Sequence, residues 1–543
     1  MQIHVMIDGK QHGPYSPDEV RQFLSTGRLR PQMQARRAGM TDWQPLESFP
    51  EFAAPGAQAG GNGGRSRARL YAALAVVGLA VCVVAGWLLW HGKPSNGPEA
   101  KTGASPAAGT SPAAGTSPAA GASDSVAGHP DWPKSLPELN QWYAEPPAGQ
   151  NAAEVFTRGC EAMLETVQAS GKNTNLPFVG AASAPSPGGP LPAAMKTAIA
   201  EFMQQTKPAW DVFLQGVSLA QSRYPIDLAR PEGPVLIHFA PVKQAALVSA
   251  VYALGYADTQ RGKEAGDSLL VAYAIGRSLD AEPLWISQLV RMSCNALSMR
   301  SLERTVNRVA IPPQSLLQLQ EVLDRMAIRE ASGESADHAL VGEKLTGLAY
   351  FDMSPEKRQT TFQAFGTNIP SDTNGLIARL QKNTLKNVKG DRQFFVATWD
   401  QVFAARKEPF PSRLKADAIF GRRASEAKTQ EFLLTTLMLP ALGGTTLREG
   451  EALAQLRLAQ TAVALERFRA AGASRYPDGL AELSPKFLAS VPVDPFDGQP
   501  LRYAKSANGY TLHSIGPPGA SQVVLKSVAF TVLNPPKPAA AAP

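Results

Sequence analysis

Residues 243–261 read KQAALVSAVYALGYADTQR, and this stretch decides the fold class of most of the chain. Leu247, Val251 and Leu254 fall at positions i, i+4 and i+7, the spacing of one face of an α-helix. Further segments with helical spacing follow at 264–280, 284–306 and 314–330. Because the breaks between these segments are short, neighbouring helices should be antiparallel. The sequence therefore predicts a mainly α-helical domain over residues 131–444, built as an array of helical hairpins.

The sequence pattern changes after a further helix predicted at 445–471. Two pairs of apolar residues then alternate with polar ones, as in half-buried strands: Leu501 with Tyr503, and Tyr510 with Leu512. Asn508-Gly509 between the pairs favours a hairpin turn. We therefore expect a small α+β unit at 445–519, followed by a partly disordered tail at 520–543.

Residues 456–519 resemble the C-terminal half of type II secretion pseudopilins. In that family a helix is followed by a G-x-Y-P motif, an L-P-x-D-P-[WF] motif and a small sheet that ends in S-x-G. The matching positions are Tyr476, Pro477, Pro492, Asp494, Pro495, Phe496, Gly498, Tyr503, Ser514 and Gly516. Major pseudopilins hold calcium with acidic residues after this motif, but PPGASQVVLKSVAF offers none, so no metal is expected. Asp494 and Asp497 are expected to shape the turns of the DPFDG segment instead.

Residues 70–90 read LYAALAVVGLAVCVVAGWLLW, a run of 21 residues without a charge. An α-helix needs about 20 such residues to cross the hydrocarbon of a bilayer. Arg65, Arg67 and Arg69 directly precede the run, and the positive-inside rule places such a flank in the cytoplasm. The sequence therefore predicts one transmembrane helix with the larger part of the chain outside the cytoplasm. Its flanks are predicted to be linkers, a Gly/Ala-rich tether at 53–69 and a Ser/Pro/Ala/Gly repeat at 91–130.

Residues 1–52 show the pattern of a small α+β domain. IHVMI at 3–7 is strand-like, and Ser16 with Glu19 forms a capping box that starts a helix. This region resembles the bacterial branch of the GYF family, called GYF-like domain 2, whose motifs are G-P-[YF]-S, G-x-L and G-x-x-x-W-x-P-L. The matching residues are Gly13, Pro14, Tyr15, Ser16, Gly27, Leu29, Gly39, Trp43, Pro45 and Leu46.

The resemblance implies a binding site for a proline-rich peptide on the cytoplasmic side. Eukaryotic relatives bind such peptides in an aromatic groove, because a polyproline II helix is already extended and loses little entropy on binding. Pro14, Tyr15 and Trp43 are the positions to which this role is carried over. The alternative is that Tyr15 and Trp43 fill the core of a fold of this small size.

Three cysteines occur, and Cys160 and Cys294 both lie after the apolar run. In an oxidising compartment these two could form a disulfide, but two buried free thiols explain them equally well. The net charge of +7 is spread along the chain without a basic block, which excludes a nucleic-acid-binding stretch of the usual kind.

Catalytic and metal-binding motifs are missing from the sequence. The seven histidines form no H-E-x-x-H pattern, and neither a G-x-S-x-G elbow nor a phosphate-binding loop occurs. Arg223, Tyr224, Asp227 and His238 are the best polar group for a hidden site, although loop anchoring accounts for them as well. We therefore predict a protein that is not an enzyme and that has no cofactor and no metal.

Two apparent interaction modules favour a single-pass membrane adaptor or scaffold that binds one protein partner in the cytoplasm and another in the envelope. The segments SRYPIDL and EPLWISQLVRMSCNAL resemble uncharacterised bacterial extracytoplasmic helical proteins, so a bacterial inner membrane is expected. One alternative is an enzyme with an unrecognised site in the helical domain. Another is an accessory component of a secretion or pilus-like machine, as the pseudopilin resemblance implies.

Overall fold

The computed structural model contains two compact units, one within Met1–Tyr71 and one within Ala72–Pro543. In the first unit the structure describes residues 3–7, 10–16, 20, 33–37, 43–46 and 49. In the second unit it describes residues 132–229, 234, 236–357, 387–473, 475–519, 528–533 and 535–536.

The first unit contains a four-stranded antiparallel sheet with strand order β2-β1-β3-β4. Its strands are β1 (Ile3–Ile7), β2 (Lys10–Tyr15), β3 (Gln34–Arg37) and β4 (Gln44–Pro45). The strand predicted at residues 3–7 is confirmed. Lys10–Tyr15 is an edge strand, and an edge tolerates Pro14 although proline lacks an N–H group.

A small apolar core lies on one side of this sheet. It is formed by Ile3, Val5, Val20, Ala35, Leu46 and Phe49, all of which are buried. Gly13 passes close to β1, and a Cβ atom there would lie 2.7 Å from the carbonyl oxygen of Ile3. Its φ angle of +109° also favours glycine, so β2 requires a residue without a side chain at this position.

The second unit is mostly helical. Its helices are α1 (Leu136–Trp142), α2 (Ala152–Ser170), α3 (Ala193–Gly216), α4 (Phe239–Asp258), α5 (Gly262–Arg277), α6 (Trp285–Val306), α7 (Pro313–Ser332), α8 (Glu334–Asp352), α9 (Val388–Arg406), α10 (Lys415–Thr429), α11 (Leu433–Met438) and α12 (Thr445–Phe468). The four helices predicted between residues 243 and 330 correspond to α4, α5, α6 and α7. The helix predicted at 445–471 corresponds to α12.

Helices α2 and α3, α4 and α5, and α5 and α6 pack as neighbours, as the short breaks predict, and α4 contacts α2, α3, α5 and α6. Helix α7 differs, because it packs mainly against α12 and α5 and not against α6. Tyr252 of α4 stacks on Trp210 of α3 with ring centroids 3.9 Å apart and an interplanar angle of 10°. The start of α5 approaches the connection between α6 and α7 closely, since a Cβ atom at Gly262 would lie 2.1 Å from the carbonyl oxygen of Ala310. Glycine is therefore needed where the sequence shows a helix break.

Remote carboxylates cap two of the later helices. Asp391 accepts hydrogen bonds from the backbone N–H groups of Leu434 and Thr435 at the start of α11. Asp417 does the same for Thr446 and Leu447 at the start of α12. A carboxylate at a helix N-terminus satisfies free N–H groups and favours the helix dipole, so these contacts join the helices as well as starting them.

A three-stranded antiparallel sheet follows α12. It is formed by β5 (Arg502–Lys505), β6 (Tyr510–His513) and β7 (Ala529–Val532), in the order β5-β6-β7. The two predicted strands are confirmed as β5 and β6. β7 lies within the segment 520–543, for which the sequence predicts a partly disordered tail, and Phe530 on this strand is buried opposite Leu512 on β6.

β7 also contacts the helical array. The N–H of Thr531 donates to Glu303 Oε1 at 2.7 Å, and the N–H of Leu533 donates to Asn307 Oδ1 at 2.8 Å. Both acceptors lie on or directly after α6. One buried cluster contains residues of α6, α7, α12 and the sheet, so the regions on either side of the expected boundary at residue 444 share a core.

Among the residues that the structure describes, none of the helices is long and apolar enough to cross a membrane. The transmembrane helix predicted at 70–90 lies outside the described residues, as do the linkers predicted at 53–69 and 91–130.

Candidate functional site

The sheet of the first unit places Tyr15 and Trp43 in different surroundings. Tyr15 ends the edge strand β2, pairs with Ile3 and packs, half-buried, against the apolar core. Trp43 directly precedes β4 and is half-buried beneath Arg36, whose Cζ atom lies 4.8 Å from the ring centroid. Arg36 neighbours the buried Ala35 on β3, so its side chain points to the other face of the sheet.

These positions bear on the two interpretations of Tyr15 and Trp43, peptide binding and core packing. Tyr15 contributes to the core, as the packing alternative requires, while part of its ring remains accessible. The Trp43 ring is held by a cation–π contact outside the core, and Pro14 is exposed on the edge strand. The site that the resemblance implies thus contains a half-buried tyrosine packed on the core, a half-buried tryptophan outside the core and an exposed proline.

The second unit contains a groove of about 1,170 Å³ that the sequence did not indicate. One wall is a stripe of α7, and the others are the end of α5, the start of α8 and the loops after α1 and α3. The α7 stripe includes Gln318, Glu321, Val322, Arg325, Met326 and Arg329. These residues recur at helical spacing. The sequence alone does not show which other helices and loops face them across the groove.

Aromatic rings lie at the end of the groove formed by the loop after α1. Trp142 and His338 meet edge to face with ring centroids 4.3 Å apart. Burial, followed by the nearby charge of Arg329, lowers the pKa of His338 to about 4, so its ring is neutral at physiological pH. Tyr143 lines the same end, and its hydroxyl oxygen accepts a hydrogen bond from the N–H of Tyr224 at 3.2 Å.

The charges of the groove are only partly paired. Arg329 contacts Glu334 at 2.9 Å and Asp280 at 4.0 Å, and Asp280 also pairs with the buried Arg291 at 3.6 Å. Arg277 donates to the carbonyl oxygens of Val217 and Leu219, at 3.0 and 3.3 Å, rather than to a carboxylate.

Arg325 is the second cation of the groove without a counter-ion. Among the described residues neither Arg277 nor Arg325 has a carboxylate within ion-pair distance. Burial lowers the pKa of Arg277; Asp280 opposes that change, and the nearby charge of Arg325 adds to it. Both arginines line the groove.

A buried ion-pair network lies behind the groove and joins its wall to three further helices. Arg291 of α6 contacts Glu330 of α7 at 2.6 Å. Glu449 of α12 contacts both Arg406 at 2.9 Å and Arg413 at 2.8 Å. Burial raises the pKa of Glu330, and the nearby charge of Glu449 adds to this effect against the opposing charge of Arg291. Arg413 also links this cluster to α7, because its Nη2 atom donates to the carbonyl oxygen of Ser332 at 3.2 Å.

Of the polar residues singled out in the sequence, Tyr224 and His238 come together and the others serve nearby loops. The rings of Tyr224 and His238 stack with their centroids 4.4 Å apart. His238 Nε2 lies 3.1 Å from Glu282, and Ser287 Oγ donates to the same carboxylate at 2.5 Å. Histidine and serine therefore share one buried acceptor, whereas in a catalytic triad the serine would contact the histidine.

The remaining members of that polar group have local partners. Arg223 forms an ion pair with Glu145, and its backbone N–H donates to Asn151. Asp227 accepts from the N–H of Ala229 at 3.1 Å. These contacts are those of loop anchoring.

Asp494, which precedes β5, is fully buried, and both oxygens of its carboxylate accept hydrogen bonds. Its carboxylate accepts from the N–H of Phe496, the hydroxyl of Ser514, the N–H of Ile515 and the guanidinium of Arg502, at 2.8 to 3.1 Å. Asp497 pairs with Arg502 and accepts from the N–H of Gln499 at 3.0 Å. Both aspartates thus fasten the DPFDG segment, which is the role predicted from the turn chemistry.

Cys160 and Cys294 are buried cysteines, and the structure does not join them in the disulfide that the sequence left open. They lie on α2 and α6, and Cys160 Sγ donates to the carbonyl oxygen of Pro241 at 3.3 Å. Burial raises the pKa of Cys160 to about 12. Within the described part of the chain no three His, Cys, Asp or Glu residues are arranged to hold a metal ion.

Comparison with protein families identifies one domain. Residues 4–52 match the model of GYF domain 2, which supports the N-terminal GYF-like domain and indicates a protein–protein interaction module. The match covers β2, which carries Tyr15, and Trp43, which directly precedes β4. A search of curated proteins and a search of solved structures each give no match.

Proposed function

We propose that this chain is a single-pass membrane adaptor, anchored through residues 70–90 in a bacterial inner membrane. Its GYF domain binds a proline-rich segment of a cytoplasmic protein, and its helical unit binds a second protein in the envelope. The observation that carries the proposal is the GYF domain 2 match at residues 4–52. GYF domains generally bind proline-rich peptides, so this match supports a protein ligand.

The surface of the first unit supports the choice of residues. Pro14 is exposed, Tyr15 and Trp43 are half-buried, and the guanidinium of Arg36 covers the ring of Trp43. Aromatic rings bind prolines through flat apolar contacts with a preformed polyproline II helix. The cation over Trp43 fixes the ring on one side, which leaves less side-chain entropy to lose when a peptide packs against it.

The apolar run of residues 70–90 supports the membrane anchor, and the arginines before it support the orientation. With that orientation the GYF domain and the helical unit lie on opposite sides of the membrane. A cytoplasmic and an envelope protein could then be held by one chain.

The test uses the purified full chain and fluorescent proline-rich peptides, with alanine replacing each proline in matched control peptides. We expect proline-dependent binding that Trp43→Ala weakens by about tenfold, as loss of an aromatic anchor does. Tyr15→Phe keeps the ring and should bind normally. His12→Ala alters an exposed side chain of the same edge strand and is the matched control.

Binding that does not depend on proline, or that survives Trp43→Ala, would contradict the assignment of the peptide site. Thermal unfolding of each variant shows whether a loss of binding reflects a loss of folding. Orientation is tested separately, by labelling engineered cysteines before and after residues 70–90 with a membrane-impermeant reagent in intact cells.

A further inference from the structure

We propose that the outer face of α7 binds the same face of a second copy of this chain, with the two helices antiparallel about a twofold axis. The proposal goes beyond the adaptor function, and it holds whether or not the GYF domain binds a peptide. It rests on an exposed helix face whose apolar and charged residues are complementary to themselves.

Helix α7 buries only one of its sides. Its inner side packs mainly against α12 and α5. On its outer face lie two large apolar residues, Leu317 and Ile328, which are 43% and 71% exposed. Glu321 and Arg325 lie between them along the helix and are also exposed. At 3.6 residues per turn these four positions fall on one side of the helix, over about three turns.

No described part of the chain covers this face. Glu321, Arg325 and Ile328 line the groove of about 1,170 Å³ and are exposed there, so the space beside α7 is open. Single exposed apolar residues are common on protein surfaces and do not by themselves indicate a partner. The arrangement of the four residues is therefore what indicates one.

The two charges of the face are available to a partner. Among the described residues, the ion pairs of α7 involve Arg329 and Glu330 and not Glu321 or Arg325. Glu321 and Arg325 are four positions apart, a spacing at which opposite charges can pair along one helix. The charge of Glu321 acts on Arg467 of α12, but the two side chains are not within ion-pair distance.

One twofold axis pairs all four residues. In an antiparallel pair of identical helices, a residue before the axis faces the residue at the same distance after it on the other helix. The midpoint of 321 and 325 is 323, and the midpoint of 317 and 328 lies between 322 and 323, so the two midpoints nearly coincide. Leu317 then faces Ile328 of the second copy, and Glu321 faces Arg325 of the second copy. By symmetry each contact occurs twice.

This complementarity favours a second copy over an unrelated protein. An unrelated partner would require neither a common midpoint nor opposite charges on the two sides of it. Twofold dimers are also the commonest assemblies of identical chains. Two packed helices of this length bury less surface than a permanent interface does, so we expect a reversible, concentration-dependent dimer.

The test measures the mass of the purified full chain in detergent by analytical ultracentrifugation over a range of concentrations. The unchanged chain should dimerise. Arg325→Glu places Glu321 opposite a second carboxylate, and Glu321→Arg places Arg325 opposite a second guanidinium group. Each variant should therefore weaken its own dimer by about tenfold or more, because like charges repel across an interface. Ile328→Lys should weaken the dimer by about tenfold as well, through the loss of an apolar contact on both copies.

A mixture of the two charge variants provides the sharpest measurement. One chain then carries two arginines on the face and the other carries two glutamates, so both charged contacts are restored. The mixture should form a dimer with one copy of each variant, although neither variant dimerises well alone. A variant that had merely lost its fold would not be rescued in this way.

Arg158→Glu is the matched control, because Arg158 is exposed and lies on α2 rather than on α7. This variant should dimerise like the unchanged chain. The proposal is overturned if the unchanged chain stays monomeric, if its dimer survives Arg325→Glu, or if the two charge variants form no mixed dimer. Crosslinks from α7 to another segment of the same chain, in a monomer, would overturn it in favour of that segment as the occupant.

Discussion

The carboxylate of Glu449, which is fully buried on α12, accepts a hydrogen bond of 2.8 Å from Nη1 of Arg413. Arg413 also donates to the carbonyl oxygens of Glu408 and Ser332, so one guanidinium group joins α12 to the end of α7 and to the segment after α9. A buried cation with several partners holds these elements in one arrangement, but it is costly to leave alone.

We expect Glu449→Gln to lower the free energy of unfolding by about 3–5 kcal/mol, because Arg406 and Arg413 would lose their shared counter-charge inside the protein. Denaturant unfolding of the full chain, followed by circular dichroism, measures the change. Glu426→Gln is the control, since Glu426 is partly exposed beside Arg423 and its loss should cost no more than about 1 kcal/mol. Equal losses of unfolding free energy in the two variants would contradict the prediction that the buried ion pairs of Glu449 stabilise the fold more than the partly exposed pair of Glu426.

Glu451 should make stability depend on pH. Burial raises its pKa from 4.5 to about 7, against the opposing charge of Arg448. The folded state therefore holds a proton on Glu451 that the unfolded state releases from pH 4.5 upward. The free energy of unfolding therefore falls by about 3 kcal/mol in total as pH rises from 4.5 to 7. Above pH 7 the effect of Glu451 on stability no longer changes.

Glu451→Gln keeps the shape of the side chain and cannot ionise, so its unfolding free energy should fall less between pH 4.5 and 7 than that of the unchanged chain. Denaturant titrations at a series of pH values measure both slopes. Glu408→Gln changes an exposed carboxylate and should leave the slope unaltered. A parallel pH dependence for Glu451→Gln would refute the assignment.

Asp494 should be needed for the C-terminal sheet and should not need calcium. Asp494→Ala leaves the donors of Phe496, Ser514 and Ile515 without their acceptor, which should cost about 3 kcal/mol or more. Addition of calcium or of a chelator should leave the thermal midpoint unchanged, because protein donors already occupy the carboxylate. A midpoint that rises with calcium and returns with the chelator would contradict this.

Cys160 should resist alkylation in the folded protein. Burial raises the pKa of its thiol to about 12, so little thiolate forms at neutral pH. Iodoacetamide followed by peptide mass spectrometry should show Cys160 and Cys294 unmodified in the native chain, and both modified in denaturant without reductant. If modification in denaturant required prior reduction, the two residues would be a disulfide.

The sequence predicts the elements of the helical unit well and the groove not at all. Leu247, Val251 and Leu254 mark α4 because helical periodicity is a local property. Val251 and Leu254 are buried, and Leu247 packs half-buried against the same core. The groove is formed by residues far apart in sequence, such as Tyr143, Arg277 and Arg325. Whether an arginine has a counter-ion depends on the tertiary structure, so no spacing of residues could reveal that Arg277 has no ion-pair partner among the described residues.

The strand β7 was missed for a compositional reason. The alternation of Val528, Phe530 and Val532 covers few residues, and the Pro- and Ala-rich sequence after it is typical of a tail. Its partners Leu512 and Glu303 are not adjacent in sequence. In the first unit, by contrast, the order of the GYF motifs was sufficient to predict the domain that residues 4–52 match.

The pairing of Thr531 with Glu303 joins residues that are 228 positions apart in the chain. During synthesis, α6 leaves the ribosome long before β7 exists. Until then the acceptor oxygens of Glu303 and Asn307 lack the backbone N–H donors that β7 and Leu533 supply. Contacts of such long range form late and slow folding. The helical unit can therefore complete its core only after translation has passed Leu533, and a chain interrupted before β7 would present this open edge to chaperones and proteases.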